Sequence, residues 1–209
     1  MKLYRCKHVA VDFEIDGNVE KQQWALAEPH NLVNTETGGA ARQATEVRLL
    51  WGPTRLYAAF HCDDTEPNAT MTEFNDKLYE EEVVELFIDE GGDGTVYIEI
   101  EVNPLNALMH YAIFNQGDGQ ILTFARTDHR IETAVRKHST GWDAEIAIPY
   151  SEFRTAQQLP PQEGVQWNIN AYRIDRPTGE DMECTAWSPT VINNYHLSSQ
   201  FGILEFVQE

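Results

Sequence analysis

The sequence predicts an all-β protein, an antiparallel β-sandwich of immunoglobulin-like or jelly-roll-like type with one short helix, and three observations carry that reading. Nine short runs alternate apolar and polar residues with the period of two that a half-buried strand requires. Clusters of Gly, Pro, Asn and Asp, the residues of tight turns, separate most of them. Helical spacing is nearly absent, so the strands are not joined by the crossover helices of βαβ units.

In chain order the runs are "TEVRLLW" (45–51), "TRLYAAFHC" (54–62), "VVELFID" (83–89), "TVYIEIEVN" (95–103) and "LMHYAIF" (108–114), followed by "HRIETAVRK" (129–137), "WDAEIAIPY" (142–150), "VQWNINAYRID" (165–175) and "FGILEFV" (201–207). The helix is "SEFRTAQQL" (151–159), with Ser151 as its cap; a loop holding one turn of 3₁₀ is the other reading. Residues 28–45 form the longest stretch without periodicity. Stretches of that kind are often functional loops or disordered. With no internal repeat and no linker rich in Pro, Gly or Ser, residues 1–209 read as one domain.

Composition narrows the partners. The chain is 42% hydrophobic and 11% aromatic, which suits a packed globule. Asp and Glu outnumber Lys and Arg by 34 to 15, a net charge of -19 that would repel nucleic acid and an anionic membrane alike. The surplus is either a solvated surface or a cation site or surface for a cationic partner. Cys6, Cys62 and Cys184 are odd in number and lack metal-ligand spacing, so they read as buried or idle thiols. Charges interrupt the first seventeen residues, and no signal peptide or membrane span is read there. The expected location is cytoplasmic by default, or outside the cell if a leader was removed.

The stretch "YEEEVVELFIDE" (79–90) raises the functional question. As a strand it sends Val84, Leu86 and Ile88 to one face and Glu85 and Phe87 to the other. "EGGDG" then turns the chain into "TVYIEIEVNP", where Ile98, Ile100 and Val102 alternate with Tyr97, Glu99, Glu101 and Asn103. Pairing the apolar sets puts carboxylates, an amide and aromatic rings on the opposite face. Sugars select that chemistry: hydroxyls need directed polar partners, and pyranose C–H faces need flat rings. A plain solvent-facing sheet surface is the alternative. Two further stretches contribute, the amide-bearing face of "VQWNINAYRID" and the loop after Cys184 that carries Trp187 and His196. His196 reads as a structural hydrogen-bonding residue.

Eight pieces in order, "IDGNVEKQQWALA", "VRLLWGPTRLYAAFHCDD", "YEEEVVELFIDE", "YIEIEVNP", "GWDAEIAIPYSEF", "GVQWNINAYRID", "TAWSPT" and "FGILEF", resemble the family 9 carbohydrate-binding modules and their DOMON-like relatives over nearly the whole chain. The resemblance implies non-catalytic binding of a terminal sugar of a plant-type polysaccharide or oligosaccharide such as xylan or cellulose, in support of polysaccharide catabolism, with a glycoside hydrolase as companion. It implies two aromatic platforms, Tyr79 in place of the family's tryptophan and Trp187. It makes Glu85, Glu101 and Asn103 hydroxyl partners, although the family carries a basic residue where Glu101 stands. Asn170 and Arg173, close to the same strand end, are further candidate sugar contacts, with a surface carboxylate as the other reading for Arg173. Structural calcium is also implied, with Asp16, Asp63 and Asp64 as oxygen ligands. Some relatives carry haem, for which His61, His110 and Met109 are nominal ligands, but no haem is expected here.

The competing class is an endo-xylanase-like hydrolase acting on O-glycosyl bonds through Glu85, Glu99 and Glu101. Carboxylates facing each other on neighbouring strands meet the spacing that retaining glycosidases need. Two arguments weigh against it. No other catalytic motif accompanies the carboxylates, and a shallow sheet face excludes water poorly. No catalytic residue is assigned.

Overall fold

In the computed structural model, which describes residues 2–117 and 119–208, the two ends of the chain meet at the middle of the sheet. Strand β1 (Leu3–His8) buries Tyr4 and Cys6 by simple alternation. The remaining described strands are β2 (His30–Asn31), β3 (Val33–Asn34), β4 (Thr45–Trp51), β5 (Arg55–Asp63), β6 (Val83–Asp89), β7 (Val96–Val102), β8 (Leu108–Asn115), β9 (Ile121–Ala125), β10 (Glu132–His138), β11 (Gly141–Pro149), β12 (Gln166–Asp175), β13 (Glu183–Ala186) and β14 (Gly202–Val207). They hydrogen-bond in the order β10-β11-β5-β4-β1-β14-β12-β6-β7-β8-β9, with β13 on β12, β3 on β13 and β2 on β4.

All nine expected runs are strands. The pairing is antiparallel except at β1, which runs parallel to both β14 and β4 and so joins two antiparallel halves. The sheet curls until the halves face each other. Leu49, Phe60, Trp142 and Ile146 from one half share a single buried cluster with Leu86, Ile100, Trp167 and Ile169 from the other. This is a sandwich core made by one continuous sheet. The helix expected at 151–159 is a single 3₁₀ turn, Tyr150–Glu152. Two short strands, β2 and β3, interrupt the aperiodic stretch 28–45.

Both outer faces of the sandwich are covered, and each cover leaves a buried carboxylate. On one side residues 9–27 lie across β11, placing Trp24 against Leu50, Tyr57 and Ala59. Glu145 is the anchor there. One of its oxygens accepts the backbone N–H groups of Asp16 and Gly17 at 2.8 and 2.7 Å and the Lys21 ammonium at 2.8 Å; the other accepts Trp24 Nε1 at 2.7 Å. Charge-assisted bonds of this kind are worth roughly 1.5–3 kcal/mol each, and a buried ion pair broken from one side leaves its partner uncompensated. Glu145→Gln, which cannot accept at both oxygens, is therefore expected to cost about 3 kcal/mol. The check is urea unfolding, with a lowered midpoint and an unchanged slope.

Candidate functional site

Strand β6 sets the geometry of the other outer face. Val84, Leu86 and Ile88 enter the core with Ile98, Ile100 and Val102, as the alternation predicts. The register pairs Glu85 with Glu101 across β6 and β7, and Phe87 with Glu99. Tyr172 of β12 lies beside Glu85, and Tyr111 of β8 lies beside Glu99. One face thus carries the row Tyr172, Glu85, Glu101, Met109 and next to it the row Asn170, Phe87, Glu99, Tyr111.

This face is not a solvated surface. Residues 64–82 and 187–201 fold over it, leaving a pocket of about 380 Å³ whose walls include Tyr79, Glu85, Phe87, Glu99, Glu101, Tyr111, Thr123 and Asn193 to His196. Its volume lies at the small end of the range for ligand sites, ~300–1,000 Å³. Tyr79 sits on the 3₁₀ turn Leu78–Glu80 and is 38% exposed, and Tyr111 is half-buried. Tyr195 stacks on Tyr172, ring centres 4.0 Å apart, and donates its hydroxyl to the Arg173 carbonyl at 3.0 Å. Tyr172 in turn donates to the Tyr195 carbonyl at 2.8 Å. His196 packs on Phe87 and bonds Tyr97 at 2.9 Å through Nδ1, and burial lowers its pKa to about 4.

The carboxylates are almost dry. Glu85, Glu99 and Glu101 are 2%, 5% and 0% exposed, and each offers an oxygen within 4.8 Å of the others. Burial, reinforced by mutual repulsion, pushes Glu85 and Glu101 well above the ordinary carboxyl range; burial pushes Glu99 up to about 7. The backbone N–H of Tyr79 is near enough to favour ionised Glu101 but is not aligned for a hydrogen bond. The face is therefore a concealed and partly protonated cluster. The expectation that a shallow face would leave acid chemistry untuned does not hold, because the two loop segments remove the water.

The residues expected at the site divide. Tyr79, Glu85 and Glu101 converge on the pocket. Asn103 shares their face but is fully buried; its oxygen accepts the N–H groups of Leu105 and Ala107 and its amide donates to the Met71 carbonyl, so it locks a turn. Asn170 lies beneath the pocket with its amide spent on Tyr172 Oη and the Ser188 carbonyl at 2.8 and 2.7 Å. Arg173 belongs to the opposite face of β12. It is buried at one end of the sandwich, its Nη2 at 3.0, 2.9 and 3.5 Å from Asp64, Glu82 and Asp175.

Trp187 is in the core and has no face for a ligand. It is 1% exposed, its Nε1 donates to His30 at 3.2 Å, and its ring lies so close to Gly202 that a Cβ there would be 2.3 Å from Cζ3. Alternation explains the difference: Ala186 faces the pocket side, so Trp187 turns inward. Tyr111 and Tyr195, which the sequence reading passed over, supply the additional rings. Tyr111 was readable from its place in β8; Tyr195 gave no periodic signal because its loop has none.

The proposed calcium ligands do not converge. Asp16 is exposed beside Lys21 and Glu145, Asp63 is exposed four positions along β5 from the partner of Glu145, and Asp64 lies with Glu82 and Asp175 around Arg173. That last group already has a cation at its centre, the Arg173 guanidinium. Of the nominal haem ligands, His61 is paired with Asp143 at 2.6 Å, while His110 and Met109 are consecutive on β8 and point to opposite faces.

Comparison with known proteins gives this architecture a family. A family model described as "Carbohydrate family 9 binding domain-like" matches residues 15–209. The chain belongs to that family. Two solved structures of a family 9 carbohydrate-binding module from Caldicellulosiruptor kristjanssonii, one in complex with cellotriose and one with glucose, superpose with TM-scores of 0.72 and 0.71 at 16% identity; they cover 100% of this chain, which covers 95% and 97% of theirs. At that identity they show a shared fold. The chain is also 24% identical over 195 residues to endo-1,4-beta-xylanase A of Thermotoga neapolitana and 25% identical over 195 residues to that of Thermotoga maritima. It matches 93% of its own length but only 17% of theirs, a fraction of each enzyme.

Two outcomes test this assignment of places. Trp187→Ala is expected to cost about 3–5 kcal/mol of stability, since it empties a core position; a ligand platform would leave thermal unfolding nearly unchanged. The carboxyl cluster acts oppositely on pH. Its folded pKa values lie above the unfolded ones, so its contribution is intact below about pH 4.5 and is lost as the pH rises through about 7 for Glu99. Glu101→Gln should match wild type in Tm at low pH and exceed it by roughly 2–4 °C or more near pH 8.

Proposed function

We propose that this protein binds carbohydrate without cleaving it, and that the ligand enters the pocket over β6, β7 and β8. One observation carries the reading: a small concave site on the outer sheet face combines half-exposed rings of Tyr79, Tyr111 and Tyr195 with buried carboxylates and the amides of Asn193 and Asn194. Rings supply flat apolar area for a pyranose at little entropic cost, and fixed acceptors give direction to its hydroxyls. Family membership and the sugar-bound modules of the same fold support it.

The position of the carboxylates favours binding over hydrolysis. Glycosidases place two carboxyl groups on either side of the scissile bond, ~5–5.5 or ~6.5–9.5 Å apart. Here Glu85, Glu99 and Glu101 stand on adjacent strands in one wall, with oxygens clustered within 4.8 Å. No pair of them brackets a ligand. The pocket's small volume suits a chain end or a short oligosaccharide. A plant-type polymer such as xylan or cellulose is the source we favour, with a glycoside hydrolase acting beside the module, in keeping with the xylanases that contain a related segment.

Calorimetric titration with glucose, xylose, cellobiose and xylobiose tests the reading. Tyr79→Ala and Tyr111→Ala are each expected to weaken binding about tenfold, the scale of a lost ring contact. Millimolar sugars giving no heat with wild type would overturn it, as would release of reducing sugar from xylan.

A further inference from the structure

The pocket holds acid groups that burial keeps partly protonated, with no cation in its walls to stabilise their ionised forms. Three carboxyl groups meet in it, and no Lys or Arg is among its wall residues. The one basic group there, His196, is spent on Tyr97 and is neutral at pH 7. Lys77, the cation close enough to influence Tyr111, is exposed and paired with Glu80 at 3.8 Å. Two other buried carboxylate sites in this chain do have a cation: Glu145 has Lys21, and Asp64, Glu82 and Asp175 surround Arg173.

The orphaned atoms have a definite number. Among the described residues, Oε1 of Glu85 and both oxygens of Glu101 are buried without an N–H or hydroxyl donor, and the one hydrogen bond that Glu101 makes is a carboxyl proton given to Glu99. Buried acceptors left open in this way are costly, and an empty acceptor set beside a ligand site describes the missing donor. Neutral hydroxyls satisfy acceptors singly and bring no positive charge that would let the cluster ionise. A primary ammonium brings three N–H donors and one positive charge. The rings of Tyr79, Tyr111 and Tyr195 add faces that attract a cation as well as a pyranose.

Resting on the carbohydrate reading, we infer that the pocket selects a sugar carrying a free amino group, a hexosamine unit whose ammonium sits among Glu85, Glu99 and Glu101 while its ring lies against the tyrosines. The three orphaned oxygens then have three N–H donors to draw on, and the ligand supplies the positive charge that the pocket walls omit. An acetylated amine would lack both the charge and two of the N–H donors.

The test compares glucosamine, glucose and N-acetylglucosamine by calorimetry at about pH 6.5, where a primary amine of this class is protonated. Glucosamine is expected to bind about tenfold or more tightly than either of the others. That ratio should collapse towards one in Glu101→Gln and in Glu99→Gln, each checked for native circular dichroism so that one misfolded variant does not decide the matter. Equal binding of glucose and glucosamine would overturn the inference and leave the carbohydrate reading standing. N-acetylglucosamine binding as tightly as glucosamine would also overturn it, since bulk would then be recognised in place of charge. A preference that appears only with added calcium and vanishes in EDTA would reassign the cluster to a metal ion. Silence with all three sugars would remove both readings together.

Discussion

The period of two along β6 is the constraint on which both the core and the pocket depend. Val84, Leu86 and Ile88 are committed to the space between the two halves of the sheet, and that commitment fixes Glu85 and Phe87 on the other side. A slip of one residue would exchange the sets, putting Glu85 into hydrocarbon and Leu86 into the pocket. The neighbouring ladders then follow, because β7, β8 and β12 can bury their own apolar sets only in register with β6.

What turns that outer face into a site is its cover. A bare sheet face would leave carboxylates hydrated, with ordinary acidity and little grip on a ligand. Residues 64–82 and 187–201 exclude the water, and the pocket they leave is held by fixed contacts: Tyr195 on Tyr172, His196 on Phe87 and Tyr97, and Ser198 donating to the Gly94 carbonyl at 2.9 Å. The same exclusion raises the carboxyl pKa values. Affinity for a suitable donor and instability without one thus have one physical source.

The two outer faces show how differently a buried carboxylate can be used. Glu145 is fully paired and works as a fastener for residues 9–27. Glu101 has the same burial, yet no aligned N–H donor among the described residues. An acceptor satisfied within the chain stabilises the fold, and one left open at a pocket is available to a ligand.

The nine long strands and the Glu85 and Glu101 face were legible in the sequence, because each depends on local alternation, whereas Tyr79 was placed by the family resemblance. Strands β1, β9 and β13 were not, being short or half-exposed, with patterns that a loop shares. Trp187, Asn170, Asn103 and Arg173 show the limit more sharply: their chemistry fits a sugar site, and what they do is decided by partners far away in sequence, namely Gly202, Ser188, Met71 and Asp64. The family resemblance carried the fold, but it could not say which aromatic would face out. By itself the sequence determined which residues share a sheet face, since side-chain direction along a strand is set by the backbone. Only the tertiary structure decided which face is dry and which rings remain exposed, since burial depends on loops that close over the sheet from distant parts of the chain.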